Sequence, residues 1–573
     1  MVKSRLQVLV LLPVLLLVFL SCASKPQVNP EGPYWTDNDR QPIPEPEFKE
    51  PPLIWTSVDR TVFDQTLELL DLDRGLRKLS GRPTQAQNTN CLDEVPNSSW
   101  FTNRHGLPQT SLTPYEITTG VAITAGPDTT GGWTVFRPKI GGVTPGFWII
   151  DGRGDKYIIK FDPPGFPDMS TGATVMAGKF FHACGYNVAQ ETIVYWRPDN
   201  LRIKEGVTVK GADGKKRPFT MEDLNDILAS VHYQPDGGIR SLASLLLGNV
   251  KGPYMLKGTD KNDPNDWCPH EHRRELRGLY VLASFVNHWD IKDHNSMNTY
   301  VGEAGQGYLK HYLMDFGSTF GSGGHNPCRT IDGYANTMDV RDMIMSVATL
   351  GLKTWPWENA LPWTNPSVGY FEAEIFHPGK WDPIYPIPPF ENMTDQDGYW
   401  GAKIVMAFSD EDLQALLKAG QYSDPVAEEM LFEILKERRD KIGRHWFGKI
   451  NPLDHPILKH YLIGLDLSFE DLAVEYGLEP GTADYEYCIY HEGRAITNPA
   501  EIEVTQILLS NETLRDMASR YDNGNDNSAE RHLFEVKIKT RRQGGQWSQP
   551  VIFLLWYHPD TDTFTIAGIE HPG

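Results

Sequence analysis

Asp290-Ile-Lys-Asp-His-Asn295 and, one hairpin-length interval later, Tyr312-Leu-Met-Asp-Phe-Gly317 decide the reading of this chain. The spacing Asp-x-Lys-x-x-Asn sets a carboxylate, an ammonium and a carboxamide on one short loop, and Asp315 adds a second carboxylate at the end of a later strand. These are the parts that phosphoryl transfer needs. Asp290 can orient or deprotonate an attacking hydroxyl, Asn295 and Asp315 can offer hard oxygen ligands to Mg²⁺ (or Mn²⁺), and Lys292 can offset charge on the transferred group. Each pattern is short enough to arise by chance. Their order, their proximity and the apolar run before each one carry the reading.

A phosphate-handling site also needs a cation ahead of that loop. Trp133 to Lys139, Gly146 to Asp151 and Lys156 to Asp162 read as three successive strands, rich in β-branched and aromatic residues. The first turn, with Gly141, Gly142 and Gly146, is expected to form a glycine-rich flap over phosphates, and Lys160 on the third strand is expected to clamp them. A glycine-rich hairpin turn is more often just a turn. Position ahead of the Asp290 loop favours the functional reading.

In these motifs the chain resembles the protein-kinase-like superfamily, in particular its atypical, HipA-like and lipid-kinase-like bacterial branches. Asp290, Lys292 and Asn295 match the family's catalytic-loop residues, and Asp315-Phe316-Gly317 matches its metal-binding triplet. The tract from Trp133 to about Gly323 carries the resemblance. The segment His272-Arg-Arg-Glu-Leu-Arg-Gly278 also resembles a group of uncharacterised bacterial proteins. The resemblance implies an α+β, two-lobed kinase-like fold with a β-rich N-lobe and a helical C-lobe, binding Mg²⁺ and a nucleotide, ATP in the family.

One departure stands out. Ala173 to Cys184 has helical periodicity and matches the family's helix that holds the strand-three lysine through a glutamate, yet it contains no acidic residue. Asp168 and Glu191 flank it, and neither matches the motif. Two readings therefore stay open: a Mg-nucleotide-dependent phosphotransferase acting on a hydroxyl acceptor, and a pseudokinase scaffold that binds an envelope partner without turnover.

Arg273 to His288 reads as a buried helix delivering the Asp290 loop. Cys268, His270 and His272 could approach one another, but a zinc site needs a fourth ligand; Asp263, Asp266 and Glu271 nearby read as solvent-facing charge. No Gly-x-Ser-x-Gly elbow, His-Glu-x-x-His helix or Walker loop is present.

Lys3 and Arg5 precede an apolar run from Leu6 to Leu20 that is short for a membrane span and ends at Phe19-Leu-Ser-Cys22. This reads as a secretory signal over residues 1–21. Its last four residues resemble a bacterial lipobox, which implies a lipidated Cys22 and an exported chain anchored in the envelope, with the outer membrane as its expected site. Residues 22–54 read as an unpacked tether, whose proline-rich stretch from Lys25 to Pro52 reaches on the order of 80 Å at about 3.1 Å per residue.

The formal charge of -21, from 54 Lys plus Arg against 75 Asp plus Glu, argues against nucleic acid or an anionic membrane surface as the main partner. The six cysteines show no disulfide framework. The expected organisation continues with an extension over 55–131, carrying an amphipathic helix from Thr61 to Leu79. An N-lobe over 132–203, a C-lobe with insertions over 204–454 and a β-rich module over 455–573 complete it.

Overall fold

The computed structural model describes residues 37–50, 77, 83–107, 110–139, 146–210, 214–337, 340–360, 365–479, 483–522 and 529–572. The expected signal segment, Cys22, nearly all of the Thr61 to Leu79 helix, and the flap residues Gly141 and Gly142 lie outside these residues. The chain is α+β. Among the described residues no helix is long and apolar enough to cross a membrane.

The strands β1 (Trp133–Pro138), β2 (Gly146–Ile150) and β3 (Lys156–Phe161) form the expected antiparallel meander, with inward and outward residues alternating along β1 and β3. Helix α1 (Met169–Ala183) follows, and then β4 (Glu191–Trp196) and β5 (Leu201–Ile203). Strands β6 (Thr208–Lys210) and β7 (Lys216–Pro218) pair with each other, apart from this sheet. After α2 (Met221–Ala229) comes β8 (Ile239–Leu245), a strand the sequence reading lacked.

The sheet order is β4-β8-β3-β2-β1-β5, so β8 lies between β3 and β4. The strands of this sheet thus continue to Leu245, beyond residue 203, where the N-lobe was expected to end. Ile239-Arg-Ser-Leu-Ala-Ser-Leu245 is buried along almost its whole length and shows none of the apolar alternation that marks a half-buried strand. Trp133, Phe147, Phe161 and Trp196 pack on one side of the sheet with Leu224 and Leu228 of α2. Each large apolar side chain so buried contributes about 1.5–3 kcal/mol.

The N-terminus of α1 is fixed by Asp162, whose carboxylate accepts from the Ser170 and Thr171 amides at 2.9 Å each. Unsatisfied amides and the helix dipole both favour a negative charge there. Arg240 of β8 reaches the same corner, 3.7 Å from Asp162 and 3.3 Å from Asp168.

Strand β9 (Val250–Gly252), helix α3 (Arg274–Val286), and strands β10 (Ser296–Val301) and β11 (Tyr308–Leu313) come next. Helices α4 (Val340–Ala348), α5 (Asp395–Met406), α6 (Asp410–Gly420) and α7 (Pro425–Phe447) follow. One continuous apolar core joins α1, α3, α5, α6 and α7 with Val95, Trp100 and Phe101 from the preceding extension.

Helix α3 is buried on every side, including its charges. Arg274 Nη1 lies 2.7 Å from Asp93, and Arg277 Nη1 lies 3.2 Å from Asp397. Asp263 and Asp266, read as solvent-facing, are instead buried. Asp266 pairs with His270 at 2.8 Å, so Asp266 serves packing of the loop rather than a solvated surface. The Arg-Arg-Glu-Leu-Arg segment is thus an internal ion network.

The C-terminal β-rich module begins at β12 (Leu453–Tyr461). It continues through β13 (Gly464–Asp471), β14 (Ala483–His491), β15 (Arg494–Ala495), β16 (Ala500–Ile502) and β17 (Gln506–Ser510). Helix α8 (Asn511–Asp522) precedes β18 (Leu533–Arg542), β19 (Val551–His558) and β20 (Thr563–Glu570). Its two sheets, β12-β13-β17 and the one built on β14-β18-β19-β20, share a separate apolar core.

The proline-rich tether expected over 22–54 also needs correction, because residues 37–50 are docked. The buried Asp39 carboxylate accepts from the Ser99 amide and hydroxyl, Ile43 packs against Tyr300 and Leu309, and the Ile43 amide donates to the Gly307 carbonyl at 2.8 Å. Composition reported the prolines; the two anchoring side chains override them.

Candidate active site

The β10–β11 hairpin builds the site. In its antiparallel register Ser296 faces Leu313, which brings the residue before β10 and the residues after β11 to the same end. The Met314 amide donates to the Asn295 carbonyl at 2.9 Å, locking the two loops together. Asn295 and Asp315, far apart in sequence, therefore meet because a strand pair has two ends on one side.

Asp315 has φ 61, a left-handed conformation that an L-residue adopts at a cost and that Asp tolerates better than most. Its side chain is about half exposed (54%) and accepts from Lys160 Nζ at 2.9 Å. Lys160 reaches it from β3 and so joins the sheet to the hairpin. The Lys160 ammonium, more than burial can oppose, holds the Asp315 carboxyl down at about 2, with Lys139 and Lys292 adding to the effect. Burial works against the charge on Lys160, yet Asp315 and Glu191 together keep its pKa above the ordinary lysine value.

Asp290 and Lys292 form an ion pair within the loop, with Nζ 2.7 Å and 2.9 Å from the two carboxylate oxygens. Burial raises the Asp290 pKa despite that ammonium, which suits a group that must take up a proton. Lys292, expected to face the transferred phosphoryl, is bonded to Asp290 here. Asn295 Nδ2 donates to the Asp290 carbonyl at 2.6 Å. That bond commits the amide nitrogen and leaves its oxygen as the atom with which Asn295 can ligate.

Phe316 is buried, stacked on Phe181 of α1 at 5.1 Å and tilted against His288 at 5.6 Å. Burial pushes the His288 pKa down to about 4, so this ring is neutral packing rather than an acid or base near neutrality. Gly146, expected in the flap, is the first residue of β2 and sits opposite Lys160. A Cβ there would lie 2.2 Å from the Ile159 carbonyl, so its missing side chain serves the strand pairing.

Two contributors were not assigned from sequence. Lys139, at the end of β1, leans past Gly146, its Cδ 3.5 Å from where a Cβ would stand; burial and the neighbouring Lys160 lower its pKa to about 8. Glu191, the first residue of β4, faces Ser244 of β8 and accepts from its hydroxyl. Burial raises its pKa to about 7 against the pull of Ser244 and Lys160. The signal for Glu191 was its position one strand from Lys160, readable once β8 is known to separate them.

Among the described residues no group of three or more His, Cys, Asp or Glu could hold a metal by itself. The carboxylate of Asp315 and the carboxamide of Asn295 are hard oxygen donors of the kind Mg²⁺ takes, an ion that uses one or two protein ligands and completes its shell with water and substrate phosphate. The Cys268, His270 and His272 trio is no metal site: His270 is held by Asp266 and the Met255 carbonyl, and His272 by Arg277.

No protein-family model matches the sequence, and no curated protein matches it. Weak likeness to solved kinase structures is present. A Helicobacter pylori proinflammatory kinase, CtkA, aligns at 9% identity over 54% of this chain and 94% of that chain, with a TM-score of 0.28. The Golgi casein kinase aligns at 9% identity over 58% and 72%, with a TM-score of 0.25. The Golgi casein kinase with Mn/ADP bound aligns at 11% identity over 71% and 94%, with a TM-score of 0.27. The chain thus has a remote structural similarity to kinase-like folds, too weak to carry an argument about its reaction.

Proposed function

We propose that this chain is a Mg²⁺-dependent phosphotransferase of two-lobed, kinase-like build that moves a phosphoryl group from a nucleotide, ATP or a related triphosphate, to a hydroxyl acceptor. The observation that carries the reading is the convergence of Lys160, Asp315, Asn295 and the Asp290–Lys292 pair at one end of the β10–β11 hairpin. The sheet of β1 to β5 and β8 is the N-lobe in this reading, and α3, α5, α6 and α7 belong to the C-lobe.

Asp290 accepts the acceptor's proton as the hydroxyl attacks. Lys292 keeps Asp290 oriented and carries positive charge close to the transferred group. Asp315 and Asn295 would hold a Mg²⁺ ion, which would supply charge neutralisation and orientation of the phosphates. Lys160, with Lys139 beside it, supplies positive charge to the nucleotide.

The helix that lacks an acidic residue is the main objection, and Glu191 answers it. This carboxylate lies close enough to raise the Lys160 pKa and enters from β4 instead of α1. Were Asp315 engaged with a metal, Glu191 would be left beside Lys160, with a charge set by a pKa of about 7. The second reading, a nucleotide-binding scaffold without turnover, rests on the same helix and loses ground to the same residue.

Lipidation at Cys22 and export to the envelope complete the proposal. With residues 37–50 docked, the chain length from Cys22 to Asp37 would span on the order of 50 Å at most if fully extended. Transfer of labelled γ-phosphoryl from nucleotide to hydroxyl compounds of the envelope tests the reaction. The wild type should label a product and Asp290→Ala should not; equal labelling by both contradicts the assignment.

A further inference from the structure

Helix α4 and the turn after it expose an unusual density of apolar side chains. Met343, Ile344, Met345, Val347, Leu350 and Leu352 are 57%, 58%, 42%, 76%, 88% and 85% exposed. Single exposed apolar residues are ordinary, but a run of six in one short excursion marks an interaction surface.

The excursion is rooted beside the catalytic loop. The Trp289 carbonyl, adjacent to Asp290, accepts from the Ile384 amide at 2.8 Å, and the Ile384 carbonyl accepts from the Thr337 amide at 2.8 Å. Helix α4 begins three positions later. The chain returns through Trp355 and Trp357, whose rings stack at 5.1 Å, and Trp357 lies 6.1 Å from Tyr334. Lys353 Nζ sits 3.5 Å over the Trp355 ring.

This composition matches a bilayer interface. Aliphatic side chains suit the acyl boundary, whereas stacked indoles and a lysine suit the headgroup level, where an amphipathic tip stays hydrated while its body is buried. The net charge of -21 leaves apolar burial rather than attraction to anionic lipid as the source of affinity. Distance also permits it. Asp37 is docked on the body, and the chain from Cys22 to Asp37 reaches no more than on the order of 50 Å when fully extended.

We infer that residues 340–357 seat in the membrane interface and hold the Asp290 loop facing the bilayer. The inference rests on the anchor proposed at Cys22 for its occupant and is independent of the phosphotransferase reading. Its consequence for that reading is that the acceptor hydroxyl stands at headgroup level.

The full lipid-anchored chain, carrying an environment-sensitive fluorophore on Leu350→Cys and reconstituted in phosphatidylcholine vesicles, tests it. The described native cysteines are buried, which directs the label to the new thiol. A second preparation carries the label on Glu205→Cys, an exposed position in the loop before β6. Brominated acyl chains should quench the label at position 350 several-fold and leave that at 205 unchanged.

Vesicle flotation of the 205-labelled chain reports the anchor separately. A chain that floats but shows no quenching at 350 overturns the inference and spares the anchor. A chain that does not float removes the anchor and the proposed occupant together. Self-quenching at 350 that grows with protein density and ignores brominated lipid would put a second copy on the patch and also overturn the inference.

Discussion

Glu191 occupies the space that Gly178 leaves open. A Cβ on Gly178 of α1 would stand 3.3 Å from Glu191 Cγ and 3.8 Å from Glu191 Cβ, so a side chain on the helix would crowd the Glu191 stem, which the glycine leaves unhindered. A carboxylate on β4 and a glycine on α1 are two halves of one arrangement, and the carboxylate ends beside Lys160.

The charge state of Glu191 gives a signed pH dependence. Its pKa rises from an ordinary 4.5 to about 7 on folding, chiefly through burial. The native state then binds the proton more tightly than the unfolded chain. The stability contribution is fully present below about 4.5 and is lost as pH rises through about 7. Glu191→Gln keeps a neutral group of the same shape. Its melting temperature relative to wild type should therefore be more favourable at pH 8 than at pH 5, while nucleotide affinity falls. A difference independent of pH would contradict the assignment.

Lys160→Met should weaken Mg-nucleotide binding without unfolding the sheet, since a methionine keeps the stem that packs along β3. Loss of a charge-assisted hydrogen bond costs about 1.5–3 kcal/mol, roughly ten- to a hundredfold in Kd. Titration calorimetry with a non-hydrolysable triphosphate reads it, and an unchanged Kd would remove Lys160 from the site. The Asp315 carboxyl, released from its ammonium, should also titrate at higher pH than the wild-type value of about 2.

The buried ion network makes a purely structural prediction. Asp397 caps its own helix through Thr394 and receives Arg277 at 3.2 Å with no exposure on either side. Asp397→Ala strands a buried guanidinium and should cost about 3–5 kcal/mol. Chemical denaturation measures this; a loss below 1 kcal/mol would mean that Arg277 finds another anion.

Docking of residues 37–50 predicts protection. The Ile43 amide, bonded to Gly307, should exchange slowly with solvent, and Ile43→Ala should speed it as the apolar contact with Tyr300 and Leu309 is lost. Fast exchange at Ile43 in the wild type would return this stretch to a free tether.

How much of this was legible in the sequence depended on the range of the interaction. The β1–β2–β3 meander, the strand that ends before Asp315, and helix α3 are written in local periodicity and turn residues, and the structure has them where they were expected. Glu191 was visible as a residue but not as a partner, because its place is set by β8, inserted between β3 and β4 from a later part of the chain. The stretch around Asp39, read as tether, and Asp266, read as solvated charge, misled for the same reason. Proline content and acidic runs describe solvated chain on average, and the partners that bury these carboxylates, Ser99 and His270, belong to other segments or to a later turn.

The most direct test of the central claim is thermal unfolding of the purified chain with and without Mg²⁺ and a panel of nucleoside triphosphates, alongside Asp315→Asn. A nucleotide at a hundred times its Kd should stabilise the native state by about 2.7 kcal/mol. The account predicts a metal-dependent upward shift in the wild type that Asp315→Asn loses. No shift with any nucleotide, or a shift that survives in Asp315→Asn, would contradict it.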